Sequence, residues 1–300
     1  MKRPAWGQSA GRVVAVSTAA ALGLGAFATT GGAVQTSQPA EERTRESLPL
    51  VQTGPLVVRD VPYAQHGSQM LALDIYWMEG AEAAPGLVLV HGGSWRRRSK
   101  EVWSTLASLY ARAGYVVFAI DYRLAPPGGR ARFPDPVVDV TAAVDWVRRN
   151  ARTYRVDATR VAVGGSSAGA QLALMAAAGG AETRPDAVVL FSPPVDLERL
   201  HREDVLRRPI ENYVGCSPEI CPDTYRRASG RRAVDTETPP MLVAYARYEL
   251  IPPDQPRRLM KRLQTLGRPY VELELAGKRH GMAVASVTVD ETVQFLQRYL

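Results

Sequence analysis

The sequence is poor in cysteine, histidine and lysine, and it lacks an apolar run long enough to span a bilayer. Of its 300 residues only Cys216 and Cys221 are cysteines, which excludes a disulfide-rich scaffold and a four-thiolate zinc site. Histidine occurs only at His66, His91, His201 and His280. None of them lies near the cysteine pair in the chain, so no ligand set with zinc-site spacing can be assembled, and no metal or cofactor is expected. Lysine is confined to Lys2, Lys100, Lys261 and Lys278 among 37 basic residues, leaving 33 arginines. The formal net charge of +7 invites nucleic acid or an anionic membrane as a partner. No block of five like charges supports either, and the densest run is Arg96-Arg97-Arg98. That run reads as solvated surface, with a binding patch as the other reading. With 46% hydrophobic and 22% charged residues the composition is that of an ordinary globular protein, which excludes a wholly disordered or collagen-like chain.

Part of the charge sits at the amino terminus. Lys2, Arg3 and Arg12 precede an uncharged stretch from Val13 to Ala28 that ends in Ala26-Phe27-Ala28. A basic segment, a short apolar core and small residues at its end are the signature of a secretory signal peptide, residues 1–28. The core falls short of the roughly twenty residues that cross a bilayer. Cleavage near Ala28 is therefore expected, with an uncleaved anchor as the alternative and no stable membrane insertion after cleavage. Removing residues 1–28 takes away three cations and no acid, so +7 falls to +4, and a nucleic-acid role weakens further. Residues 29–54 are polar and read as a disordered linker. An exported chain, secreted or held in the periplasm or cell envelope, would let Cys216 and Cys221 close a small disulfide loop, two free thiols being the other reading.

From residue 55 to residue 300 apolar β-like runs alternate with amphipathic helical ones, with no internal repeat. Strands are predicted at 56–61, 71–77, 86–90, 115–120, 160–163, 187–191, 241–246 and 270–275. Gly86–Val90 and Tyr115–Ile120 are continuous apolar runs, as a strand buried on both faces requires. Helical spacing links Val102, Leu106, Leu109 and Ala113, then Val137, Thr141, Val144, Val147 and Ala151, with further helices after Gln171, around Leu259–Leu266 and from Val289 to the end. The alternation implies an α/β domain with a mainly parallel sheet and helices on both faces. Chemistry in such a sheet sits on loops at the carboxyl ends of the strands.

Gly165-Ser166-Ser167-Ala168-Gly169 follows the strand Arg160–Val163 and precedes a helix. This G-x-S-x-G in a strand-turn-helix setting is the nucleophile elbow, where the serine occupies a strained turn and the flanking glycines avoid collision with neighbouring elements. Ser167, with glycine two residues away on both sides, is the candidate nucleophile; a structural Gly-Ser turn is the bland reading. After the strand 86–90 comes His91-Gly92-Gly93-Ser94-Trp95. Backbone N–H groups of Gly92 and Gly93, with that of Ala168, are candidates for an oxyanion hole. His91 is expected to brace this loop.

Together with Asp121-Tyr122-Arg123-Leu124-Ala125-Pro126, these motifs resemble the α/β-hydrolase superfamily, and most of all the hormone-sensitive-lipase-like carboxylesterases and exported esterases of feruloyl-esterase type. The resemblance covers about residues 55–300. It implies an eight-stranded, mostly parallel sheet with an antiparallel second strand, ester hydrolysis through an acyl-enzyme, and a bracing role for Asp121-Tyr122-Arg123. In this fold the triad runs serine, acid, histidine along the chain, so only His201 and His280 qualify as base. His280, in Lys278-Arg279-His280-Gly281 just past the last strand, stands where the family carries its histidine. The acid departs from pattern: the segment that matches the family's aspartate loop reads Ala246-Arg247-Tyr248-Glu249-Leu250-Ile251, which puts Glu249 at that position. A shift of one residue would leave Tyr248 there. Asp254, expected to cap the following helix, and Asp196 are the rival acids.

Residues 196–240, Arg-rich and punctuated by proline, form a cap-like insertion expected to give a short cover over the acyl pocket. The expected activity is that of an exported serine carboxylesterase acting on a small-molecule ester with a small to medium acyl group. An arylformamidase-like amidase and a catalytically inactive exported binding protein on the same fold are the alternatives.

Overall fold

The computed structural model describes residues 54–80, 83–180 and 183–300. The expected signal peptide, and the expected linker up to residue 53, lie outside the described residues. Eight strands form one sheet: β1 (Leu56–His66), β2 (Gln69–Trp77), β3 (Ala84–Val90), β4 (Val116–Ile120), β5 (Val156–Ser166), β6 (Ala187–Phe191), β7 (Met241–Ala246) and β8 (Tyr270–Leu275). Their order is β1-β2-β4-β3-β5-β6-β7-β8. Only β2 runs against its neighbours, pairing antiparallel with β1 and β4, while the other pairs are parallel. The helices are α1 (Ser104–Arg112), α2 (Asp135–Arg149), α3 (Ala168–Ala176), α4 (Leu197–Leu200), α5 (Asp204–Val214), α6 (Pro222–Ala228), α7 (Gly230–Ala233), α8 (Asp254–Thr265), α9 (Met282–Ala285) and α10 (Val289–Tyr299). This is the α/β-hydrolase arrangement that the motifs implied.

The central strands β4, β6 and β7 are buried at every residue, because each face of the sheet is covered by helices. Along β3, Val88 and Val90 join a core with α2, α3 and α8, whereas Leu87 and Leu89 enter a second core with α1 and α10. Alternate side chains of one strand thus feed opposite layers. The edge strands are longer or more polar than apolar runs reveal. β1 extends to His66 through two register shifts against β2, with most of its residues exposed or half-buried. In β8 only Leu273 is buried, and Glu272 and Glu274 accept hydrogen bonds from the Tyr245 hydroxyl at 2.6 and 3.2 Å.

The chain leaves β3 toward β4 on one side and continues from β5 toward β8 on the other. The sheet order therefore reverses between β3 and β5, and loops leaving their carboxyl ends diverge there, opening a crevice at the switch point. The predicted oxyanion turn and nucleophile elbow are these two loops.

Candidate active site

The elbow is built by close backbone approach. β5 ends at Ser166, α3 begins at Ala168, and Ser167 between them has φ 54° and ψ −120°, a conformation that L-residues rarely adopt. A Cβ on Gly165 would lie 2.3 Å from the Gly169 carbonyl oxygen, and one on Gly169 would lie 2.2 Å from that of Val90. Only glycine allows β5, α3 and the end of β3 to meet at that spacing. The Ser167 N–H donates to the Phe191 carbonyl at 2.8 Å, fixing the turn to β6.

His280 comes to this serine from the loop after β8. Its Nε2 lies 2.9 Å from Ser167 Oγ across 113 residues of sequence, and its Nδ1 lies 2.5 Å from Glu249 Oε2. With Nδ1 protonated and donating to the carboxylate, Nε2 presents a lone pair to the Ser167 hydroxyl. The Glu249 side chain is fully buried, and its other oxygen accepts the Ala246 N–H at 2.9 Å. Tyr248, the residue that a one-position shift would have substituted, is 65% exposed. Its N–H donates to the Gly277 carbonyl at 3.1 Å, joining the Glu249 loop to the His280 loop.

On the other wall, Gly92 lies so close to the elbow that a Cβ there would meet the Ser166 carbonyl oxygen at 2.8 Å and Ser167 Cβ at 3.2 Å. Ala168, as the first residue of α3, carries an N–H with no partner inside the helix, at its positive end. His91 is buried and stacks on Tyr122 with ring centroids 4.3 Å apart. Its Nδ1–H donates to the Gly92 carbonyl at 2.7 Å. Burial pushes its pKa down to about 4, because a charged ring would lose its water with no partner at hydrogen-bond distance for Nε2 among the described residues. The neutral ring is a bracket for the turn. Tyr122 donates its hydroxyl to the His91 carbonyl at 3.1 Å, and Arg123 forms a bidentate pair with the buried Asp139 at 2.8 to 3.0 Å, so the Asp121-Tyr122-Arg123 segment does brace the loop.

The BD-FAE family model matches residues 73–263. The chain belongs to the BD-FAE family. The match includes Ser167 and Glu249 and ends before His280. Among curated proteins, this BD-FAE member is 32% identical over 248 residues to Esterase LipC of Mycobacterium tuberculosis, covering 74% of this chain and 59% of that protein. The chain spans about three fifths of the length of the curated relatives it matches. Two solved structures share the fold. Thermogutta terrifontis esterase 2, phosphonylated by sarin, has a TM-score of 0.71 at 21% identity, over 81% of this chain and 94% of that one. A truncated carbohydrate esterase from gut microbiota has a TM-score of 0.70 at 22% identity, over 84% and 98% of the respective chains.

The rival acids of this BD-FAE chain are engaged elsewhere. Asp196 caps α4 through the Arg199 N–H and pairs with Arg231 at 3.1 Å. Asp254 was expected to cap α8, but it occupies the helix's first position, with Pro253 as the cap residue, and makes no side-chain cap hydrogen bond. Its carboxylate instead accepts from Arg258 one turn on, at 3.0 Å. His201 faces Glu211 at 3.0 Å within the insertion, and His66 faces Asp139 at 2.9 Å.

The insertion folds as α4 to α7. Leu206, Ile210, Tyr213 and Tyr225 of the insertion are buried in the same core as α2, α3 and α8, while Val205 and Ile220 are exposed. Cys216 and Cys221 are joined as a disulfide just after α5. Tyr213 stacks on Trp95 of the predicted oxyanion turn with centroids 4.7 Å apart. The Trp95 Nε1–H donates to Gln171 Oε1 at 2.9 Å, and Gln171 donates on to the Ala228 carbonyl at 2.9 Å. Gln171 was not singled out from sequence, nor was Ser192, whose buried Oγ accepts the Gly281 N–H at 2.9 Å and anchors the His280 loop. The one signal for Ser192 was its place directly after β6, at the carboxyl end of a strand.

Proposed function

We propose that this BD-FAE member is a serine carboxylesterase in which Ser167 is the nucleophile, His280 the general base and Glu249 the triad acid. The observation that carries the proposal is the continuous chain from Ser167 Oγ to His280 Nε2 at 2.9 Å and from His280 Nδ1 to Glu249 at 2.5 Å. Ser167 Oγ attacks the ester carbonyl while its proton passes to His280 Nε2, and Glu249 stabilises the imidazolium. The oxygen that becomes negative accepts from the N–H groups of Gly92, Gly93 and Ala168. Collapse expels the alcohol, protonated by His280, and leaves an acyl group on Ser167. A water, deprotonated by the same imidazole, releases the acid and restores the serine.

The likeness to LipC and to esterases of known structure supports ester hydrolysis, and the disulfide supports an oxidising, extracytoplasmic setting for the chain. The unusual glutamate, which left room for an inactive scaffold, lies within hydrogen-bond reach of the imidazole that it would orient.

Incubation with p-nitrophenyl acetate and butyrate, beside Ser167→Ala, tests the reading. Turnover by the wild type and its loss in the variant are expected, together with labelling of Ser167 by a phosphonate probe. Equal rates for the two proteins would refute it.

A further inference from the structure

The Arg96-Arg97-Arg98 run follows the oxyanion turn directly, and its charges are left unneutralised. Among the described residues no carboxylate lies within 4.0 Å of any of the three guanidinium groups, and the Arg96 Nε is buried without a hydrogen-bond partner. Many arginines elsewhere pair with acids locally, as Arg231 does with Asp196, Arg232 with Glu198 and Arg257 with Glu274, while scattered single ones such as Arg112 and Arg262 do not among the described residues; Arg96, Arg97 and Arg98 are three in succession. Four acids gather instead on Lys100, two residues on, whose Nζ lies 2.8 Å from Asp60, 3.3 Å from Asp74, 3.4 Å from Glu101 and 3.8 Å from Asp121. Within one loop, the lysine is saturated with carboxylates and the three arginines have none.

The loop is also strained and rigidly held. Ser94, Trp95 and Arg98 have φ of 56°, 59° and 80°, three left-handed non-glycine residues within five positions, a concentration that marks functional loops. Trp95 pins it through the stack on Tyr213 and the bond to Gln171. The run curls back onto the oxyanion turn: Arg96 N–H donates to the Gly93 carbonyl at 3.2 Å. A Cβ on Gly93 would lie 2.1 Å from the Arg97 carbonyl oxygen and 3.2 Å from Arg98 Cγ. Gly92, next to it, abuts Ser167. The guanidinium groups are thus rooted beside the backbone that would receive the oxyanion.

We propose that Arg96, Arg97 and Arg98 recognise an anionic group, a carboxylate or phosphate, carried by the ester that Ser167 attacks. Guanidinium groups suit such anions through paired N–H donors. Single exposed ion pairs are weak, so the selectivity comes from several guanidinium groups of one loop acting together on the substituent. The proposal rests on the esterase reading above.

Two matched pairs of substrates test it: p-nitrophenyl valerate against p-nitrophenyl hemiglutarate for the acyl side, and acetylated methyl glucoside against acetylated methyl glucuronide for the alcohol side. In at least one pair the anionic member is expected to show a kcat/KM about tenfold higher, mainly through KM, corresponding to about 1.4 kcal/mol. Raising the ionic strength should erode this advantage. The combined variant Arg96→Gln, Arg97→Gln, Arg98→Gly should bring the ratio of the anionic to the neutral member's kcat/KM to about one, with phosphonate labelling of Ser167 counting the folded sites. Arg97→Gln alone, at an exposed side chain, should lose part of the advantage should the combined variant not fold. Equal turnover of both members in both pairs, or an advantage that survives the variants, overturns the anionic site and leaves the esterase reading standing. No turnover of any member, with Ser167 unlabelled by a phosphonate, overturns both.

Discussion

Replacing Glu249 with glutamine removes one charge and one acceptor from a site where both carboxylate oxygens are committed. Oε1 accepts the Ala246 N–H at 2.9 Å and Oε2 faces His280 Nδ1 at 2.5 Å. The glutamine amide has a single oxygen to serve two N–H donors. If that oxygen stays on Ala246, the amide NH2 faces Nδ1 and selects the imidazole tautomer with its proton on Nε2, which cannot accept the proton of Ser167. If the oxygen turns to His280, the NH2 meets the Ala246 N–H and a buried donor goes unsatisfied, at about 1–3 kcal/mol. In either orientation the imidazolium loses a charged hydrogen bond worth about 1.5–3 kcal/mol. The lost charged hydrogen bond alone raises the barrier by about 1.5–3 kcal/mol, a fall in kcat of roughly 10 to 10², and the wrong tautomer of the first orientation lowers it further. The assay is kcat on p-nitrophenyl butyrate, with phosphonate titration of Ser167 to count folded sites. A Glu249→Gln variant that keeps kcat within a few-fold of wild type, while Asp254→Asn loses it, would refute the assignment of the acid.

Burial of His91 couples stability to acid. Its folded pKa of about 4 lies below its unfolded value of 6.5, so the unfolded chain takes up a proton first, and stability is full above pH 6.5 and falls as pH drops toward 4. The loss reaches at most about 3 kcal/mol; urea unfolding of wild type and His91→Phe should diverge across that window, and parallel curves would contradict the account. Gly169→Ala forces a methyl group to within 2.2 Å of the Val90 carbonyl oxygen, so a melting temperature unchanged from wild type would argue against the tight elbow. Ser192→Ala leaves the Gly281 N–H unsatisfied; kcat should fall about tenfold with KM little changed and the fold intact by circular dichroism. Reducing the Cys216–Cys221 bridge, which closes a loop of sequence separation 5, should cost about 2 kcal/mol in urea, and two alkyl groups added without reductant would disprove the bridge.

How far the chain could be read depended on the range of the interaction. β4, β6 and β7 stand out because uninterrupted apolar residues mean burial on both faces. β1 and β5 were under-measured: β1 is exposed along much of its length, and β5 begins at Val156, four residues before the predicted run, with half-buried and exposed residues. Neither end carries an apolar signal. The helices α4 to α7 were anticipated only as an Arg-rich cover, since their arginines mask the few buried side chains that set them into the core.

The elbow at Ser167 and the turn at Gly92-Gly93 were legible without coordinates because each is a local device: glycine spacing, a strand before and, at the elbow, a helix after dictate backbone geometry within a few residues. Which of Glu249, Asp254 and Asp196 stands against His280 was decided by the tertiary structure. All three carboxylates lie in segments beyond strand ends, and only the parallel pairing of β7 with β8 brings the loop at residue 249 against the loop at residue 280. The same holds for the unneutralised arginines. Sequence records that Arg96, Arg97 and Arg98 are consecutive, but which acids reach them is settled by where the fold delivers Asp60, Asp74 and Asp121, and it delivers them to Lys100.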